Sequence, residues 1–292
     1  MLPLRHSHRC YSRLYQGLTG PNFGTPTTNS YSAFTWRAGV TYNSVIGLSP
    51  YFSYATSFIP QIGAFNANGE PEKPLAGHQL EAGLKYLIPT TDVLLTAAAY
   101  HIKENHYQIS DTEYSGYEVD AGTVISKGVE LSANANITKD IHLTASYSFN
   151  DMRVGKSDTM EDRTDIYGNV LGEVSESGKY VGGVPRNMVN MFVDYTPSGK
   201  TFLGLGMNFG VRYIGSTFAD NANSFKAPAY TLFDIGAHYD FGKIFHKLNG
   251  LKIQMSMSNL ANTRYITSCT GGGGACYYGQ ARRVYGNISY SW

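Results

Sequence analysis

The chain has no long hydrophobic run. Nothing in it approaches the roughly 18 consecutive apolar residues that a membrane-spanning helix needs. Its greasiest stretch, Val93 to Tyr100, is broken by Thr96. The N-terminus, Met1-Leu2-Pro3-Leu4-Arg5-His6-Ser7-His8-Arg9, lacks the apolar centre of a signal peptide. Charge is also scarce. Charged residues make up 15% of the 292, and the net charge is +1, where about a quarter is usual in a soluble domain. Without a basic field or an acidic tail, a nucleic-acid partner is not expected. No catalytic constellation stands out: His101, His106 and Asp111 straddle a strand end and a loop, and the grouping reads as chance. The chain is therefore not read as an enzyme. Three cysteines are present. Cys269 and Cys276 flank a glycine run, and a local disulfide in an oxidising compartment is favoured. The alternative, a metal pair, lacks a further Cys or a nearby His. No metal and no cofactor are expected, and Cys10 is left without a role.

Aromatics are plentiful at 13%, with 23 Tyr, which suits strands and interfacial girdles. The last stretch shows the pattern best. Val284, Gly286, Ile288, Tyr290 and Trp292 alternate with Tyr285, Asn287, Ser289 and Ser291, the period of a strand with one greasy and one wet face. The same period recurs in Gln79–Ile88, Gly128–Thr138, Ile141–Phe149, Thr201–Tyr213 and Leu251–Leu260. Along the whole chain it predicts about eleven strands. Connectors after Tyr42, Ile88, Thr138, Thr196 and Phe241 are short, and those after Ser57, Gln108, Phe149, Tyr213 and Leu260 are long. A soluble sandwich has no reason to sort its loops this way. A bacterial outer-membrane barrel does, with short periplasmic turns and longer extracellular loops. The fold class is thus all-β, an antiparallel transmembrane β-barrel, and only closed barrels or helices satisfy the backbone in lipid. The acidic run Asp151, Asp158, Glu161, Asp162 and Asp165 reads as a solvated loop, ahead of a cation or lipopolysaccharide site. Glu81, Glu130, Asp234 and Arg212 are expected on the wet wall, bracing it.

Several segments carry a family resemblance. They include Lys73-Pro74-Leu75-Ala76-Gly77-His78-Gln79-Leu80-Glu81-Ala82-Gly83-Leu84-Lys85-Tyr86, Lys127-Gly128-Val129-Glu130-Leu131, Val184-Pro185-Arg186 and Tyr230-Thr231-Leu232-Phe233-Asp234. Ser258-Asn259-Leu260-Ala261-Asn262-Thr263-Arg264-Tyr265, the cysteine loop with Tyr277-Tyr278-Gly279, and the closing strand complete the series. In this order they resemble the C-terminal half of TonB-dependent outer-membrane siderophore receptors of the ferrichrome, hydroxamate-binding type. The resemblance runs over 31–292, with 1–30 set apart as a non-family segment. It implies a barrel of about 22 strands with a plugged lumen, of which this chain supplies about half, without the plug or the TonB box. The chain is accordingly read as a truncated receptor, and its ending in Trp292, where the family usually has Phe, is a mild departure.

The implied activity is TonB-dependent uptake of ferric siderophore across the bacterial outer membrane. The alternative is a general porin or structural barrel. An outer-membrane hydrolase would need a rim nucleophile beside a His, which cannot be assembled here. The implied partners are ferric siderophore, outer-membrane lipid and lipopolysaccharide, the TonB complex, and the barrel assembly machinery acting on the last strand. Tyr277 and Tyr278 are the candidate ligand contacts, because aromatic rings give large contact area to a rigid chelate.

Overall fold

Leu143, Ala145, Tyr147 and Phe149 alternate with Thr144, Ser146 and Ser148, so an extended chain there carries apolar side chains on one face and hydroxyls on the other. The computed structural model builds nearly the whole chain this way. It describes residues 4–15, 26–61, 64–66, 68–110, 118–120, 122–199, 202–269 and 276–292. Twelve strands form one sheet, each antiparallel to the next in sequence. They are β1 (Leu4–Tyr15), β2 (Pro26–Thr41), β3 (Leu48–Ile59), β4 (Leu75–Leu87), β5 (Val93–Asn105) and β6 (Thr123–Thr138). Then follow β7 (Ile141–Val154), β8 (Asn187–Tyr195), β9 (Leu205–Ile214), β10 (Tyr230–Asp240), β11 (Leu251–Ser258) and β12 (Arg283–Tyr290). No helix among the described residues is long and apolar enough to cross a membrane.

The strand that periodicity did not mark is β1. Its sequence, with arginines and histidines interleaved, has no apolar stripe. It is nevertheless paired along its length, from Leu4 opposite Arg37 to Tyr15 opposite Pro26. The segment 1–30 thus contributes β1 and the beginning of β2, and the boundary drawn at Tyr31 falls inside β2. β5 stops three residues before the expected Gln108, because His106 takes φ 61°, a conformation that ends a strand.

Register sorts the side chains into two continuous faces. On one, Val40 lies opposite Phe52 and Phe52 opposite Ala82. The row continues through Ala99, Val129 and Phe149. Nearer the short turns, Leu143, Val193, Phe209 and Ile235 are successive neighbours, and Met257 and Val284 follow. These groups are exposed rather than packed: Val40 is 65% and Ile288 70% exposed. An apolar surface running from β2 to β12 has no counterpart in a water-soluble monomer, and it is the band that lipid covers in a membrane barrel. The opposite face carries Arg37, Glu81, Lys85, Glu130, Asn190, Arg212, Asp234, His238 and Lys252, with Leu94, Ile102, Met188, Phe192 and Leu232 among its apolar exceptions.

Short connectors (42–47, 88–92, 139–140, 196–204 and 241–250) all fall at one end, and long ones (60–74, 106–122, 155–186, 215–229 and 259–282) at the other. The long connectors carry their own hairpins, such as Met160–Thr164 with Val170–Ser175. Small apolar clusters sit at this end of the sheet: Val124, Val154 and Val181 form one, and Ala219, Ala227 and Cys269 another. The last residue of the expected 197–200 turn, the first of the strand expected over 201–213, and the glycine run 271–274 lie outside the described residues.

Candidate functional site

The polar face is built by two kinds of pairing. In the first, a tyrosine lies across the glycine opposite it. Tyr51 pairs with Gly83 and Tyr100 with Gly128, and a Cβ at either glycine would run into the facing ring. Glycine is therefore required there by close approach, not by its backbone angles. In the second, charged groups brace one another. Tyr51 Oη donates to Glu81 Oε1 at 2.6 Å, and Gln79 Nε2 donates to Glu81 Oε2 at 2.8 Å. Arg212 grips both oxygens of Asp234, Nε to Oδ2 at 2.8 Å and Nη2 to Oδ1 at 3.1 Å. This fork geometry fixes both planes. All four residues expected on the wet wall, Glu81, Glu130, Arg212 and Asp234, share this face.

Glu81, Glu130, Tyr100 and Glu104 line a recess of about 280 Å³. Among the described residues, Glu130 has no hydrogen-bond partner and forms no ion pair. The recess presents carboxylates and a phenol.

At the long-loop end Cys269 and Cys276 are joined by a disulfide. It closes the hairpin of Ile266–Cys269 and Cys276–Tyr278. Tyr277 and Tyr278 leave that hairpin 56% and 78% exposed. Asn259 ties the base of the same loop. At φ 53° and nearly buried, it accepts from Thr263 N and donates to the carbonyls of Thr263 and Gln280. Its own N–H donates to Asp234 Oδ1. Asn262, also at positive φ, accepts from Arg282 N. The Ser258–Tyr265 string thus works as a clasp.

His106 pairs with Asp120 at 2.8 Å, while Asp111 lies outside the described residues. Among those residues no group of three His, Cys, Asp or Glu side chains is placed to hold a metal ion.

One part of the acidic run departs from its expected solvation. Asp165 caps its own turn, accepting from the backbone of Tyr167 and Asn169, and Asp151 accepts from Arg153 at 2.7 Å. Glu161, however, lies beside Glu176, which is wholly buried, with Asp220 close by. Loss of hydration, then the charge of Asp220, pushes the Glu161 carboxyl up to about 7. Burial raises Glu176 as well. These groups were missed because the loop that covers them, 215–229, lies far away in sequence.

The residues 11–260 match the family described as TonB dependent receptor-like, beta-barrel. The chain is 30% identical, over 91% of its length, to the ferrichrome outer membrane transporter/phage receptor of Escherichia coli, covering 33% of that protein. It is 32% identical, over 87% of its length, to the ferrioxamine B receptor of Salmonella typhimurium, covering 34% of it. It therefore spans about a third of the length of these curated relatives. Among solved structures, the siderophore receptor PiuA from Acinetobacter baumannii superposes with a TM-score of 0.72 at 22% identity, over 93% of this chain and 38% of that one. With its two-faced antiparallel sheet and sorted loops, the chain belongs to the TonB-dependent receptor β-barrel family of the bacterial outer membrane.

Proposed function

We propose that the chain forms part of the wall of a receptor that takes up ferric siderophore of the hydroxamate type in a TonB-dependent way. The observation that carries this reading is its likeness to two receptors named for ferrichrome and ferrioxamine, both ferric hydroxamates. The exposed rings of Tyr277 and Tyr278, held out by the disulfide hairpin, offer contact area at small entropic cost. They are the proposed ligand contacts. The siderophore is cargo, and no resident cofactor is invoked. Lipid covers the apolar face. The assembly machinery reads the closing strand, and the TonB complex acts on the receptor as a whole.

The test is radioiron uptake by iron-limited cells that carry the gene in its natural sequence context, against a strain with the gene deleted. Uptake of ferrichrome or ferrioxamine B should depend on the gene, and uptake of a ferric catecholate should not. Replacing both Tyr277 and Tyr278 by alanine should weaken ligand binding about tenfold, the scale of one to two aromatic contacts. Gene-dependent entry of unrelated small solutes, without ferric hydroxamate uptake, would replace this reading with a porin.

A further inference from the structure

The loop that carries Tyr277 and Tyr278 leaves β11 at Ser258 and rejoins the sheet at Arg283, and these two residues lie opposite each other. From Asn259 to Trp292 the sequence holds three arginines, Arg264, Arg282 and Arg283, and no acidic residue. Arg283 opens β12. The clasp sets its height, because Arg282 N donates to Asn262 Oδ1 at 2.9 Å. Register places Arg283 and Tyr285 in the rows of Ser258 and Ser256, on the polar face that also carries Lys252. The Arg283 guanidinium lies 5.6 Å from the centre of the Tyr285 ring, within the range of a cation–π contact. That ring is itself exposed on the wall.

Charge on this part of the wall pairs off and leaves Arg283 over. Arg212 is engaged by Asp234, whose Oδ1 also accepts from Asn259 N. Lys252 lies 3.5 Å from Asp240. Among the described residues, Arg283 forms no ion pair. An unbalanced positive charge therefore stands at the foot of the hairpin that holds out Tyr277 and Tyr278. A ferric hydroxamate presents iron-bound oxygens that share the negative charge of its chelating groups. A guanidinium, with its several fixed N–H donors, suits such oxygens.

We propose that Arg283 is a specificity-determining residue of the ligand site, donating to the iron-bound oxygens of a ferric hydroxamate and disfavouring any chelate that carries an ammonium group. The inference rests on the hydroxamate reading and adds a choice within that class. Tyr285 steadies the guanidinium, and Tyr277 and Tyr278 supply the apolar contact. A neutral chelate meets donors alone, whereas a cationic one also meets repulsion in a space partly cleared of water. Ferrioxamine B carries an ammonium group at one end. Acetylation removes that charge and leaves the chelating groups unchanged, so the pair isolates the effect of charge.

The test is equilibrium binding of the two radioiron chelates, ferrioxamine B and its N-acetyl derivative, at low salt. The receptor is purified in detergent from cells carrying the gene in its natural sequence context. The unmodified receptor should bind the acetylated chelate roughly tenfold more tightly, the scale of one unit-charge repulsion near a protein surface. Arg283→Gln should bring the two affinities together, and Arg283→Glu should reverse their order. Lys252→Gln, at the short-turn end of β11, should keep the original preference. Heat-modifiable gel mobility confirms that each variant is folded, and Arg283→Gln carries the test should Arg283→Glu not assemble. Equal affinities in the unmodified receptor, or a ratio left unchanged by Arg283→Gln, overturn the proposal while the hydroxamate reading stands. Binding of neither chelate by the folded, unmodified receptor overturns that reading, and this proposal with it.

Discussion

Glu161 and Glu176 lie against each other beneath the long loop, and the charge of Glu176 disfavours ionisation of Glu161. Several oxygens around them are buried without partners, among them Glu161 Oε2, Glu176 Oε2 and Asp220 Oδ2. A neutral Glu161 spares this buried group one charge where loop 155–186 rests on loop 215–229. A carboxyl whose folded value lies above its usual 4.5, as Glu161 does at about 7, contributes its docking stability fully below the lower value. That contribution is lost as pH rises through the higher one. We expect amide exchange at Ala219–Ser224 to quicken between about pH 4.5 and pH 7, over and above the intrinsic rate. Glu161→Gln should flatten that response. A response unchanged in the variant would place its origin elsewhere.

The tyrosines over Gly83 and Gly128 should make those positions intolerant of side chains. Gly83→Val should destabilise the folded barrel by about 1–3 kcal/mol, the usual cost of overpacking. Introducing Tyr51→Ala as well should return most of that loss, because the two residues contend for one space. Urea unfolding in detergent measures both. Equal costs in the two backgrounds would show that the ring is not the obstacle.

Removing the clasp at Asn259 should loosen the disulfide loop while leaving the strands paired. Its side chain makes three hydrogen bonds to Thr263 and Gln280, each contributing roughly 0.5–1.5 kcal/mol. Asn259→Ala should therefore expose 259–282 to protease at a temperature where the unmodified chain resists. Asp234→Ala, which removes the acceptor of Asn259 N–H, should act in the same direction but less strongly. Resistance equal to that of the unmodified chain would deny the clasp its role.

Orientation can be read on intact cells. Tyr167, 83% exposed at the tip of the long-loop hairpin, and Phe245, 53% exposed at the short-turn end, are both open to chymotrypsin. Cleavage should occur after Tyr167 and spare Phe245 until the cells are lysed. The reverse pattern would invert the receptor in the membrane.

Alternation made most of this wall legible in the sequence. A strand between lipid and water must obey both at every residue, and segments such as Ile141–Phe149 record that demand without gaps. β1 lacks the apolar stripe and is identified only by its pairing with β2. The tyrosine–glycine contacts need the register of two strands, which no single segment specifies. The Ser258–Tyr265 string was visible as a family motif, but its action as a clasp depends on Gln280 and Asp234, which lie outside it. Glu161 looked solvated because it sits among aspartates. Its burial is imposed by a loop that local pattern does not reach.

Where Tyr51 and Tyr100 recline over Gly83 and Gly128, the bore of the wall is smoothed. A ring laid flat in the space a side chain has vacated gives the passage a low, hard floor, in place of long flexible arms standing into it. The same wall is therefore stiffened where those two rings lie, and a side chain added at Gly83 or Gly128 would roughen it.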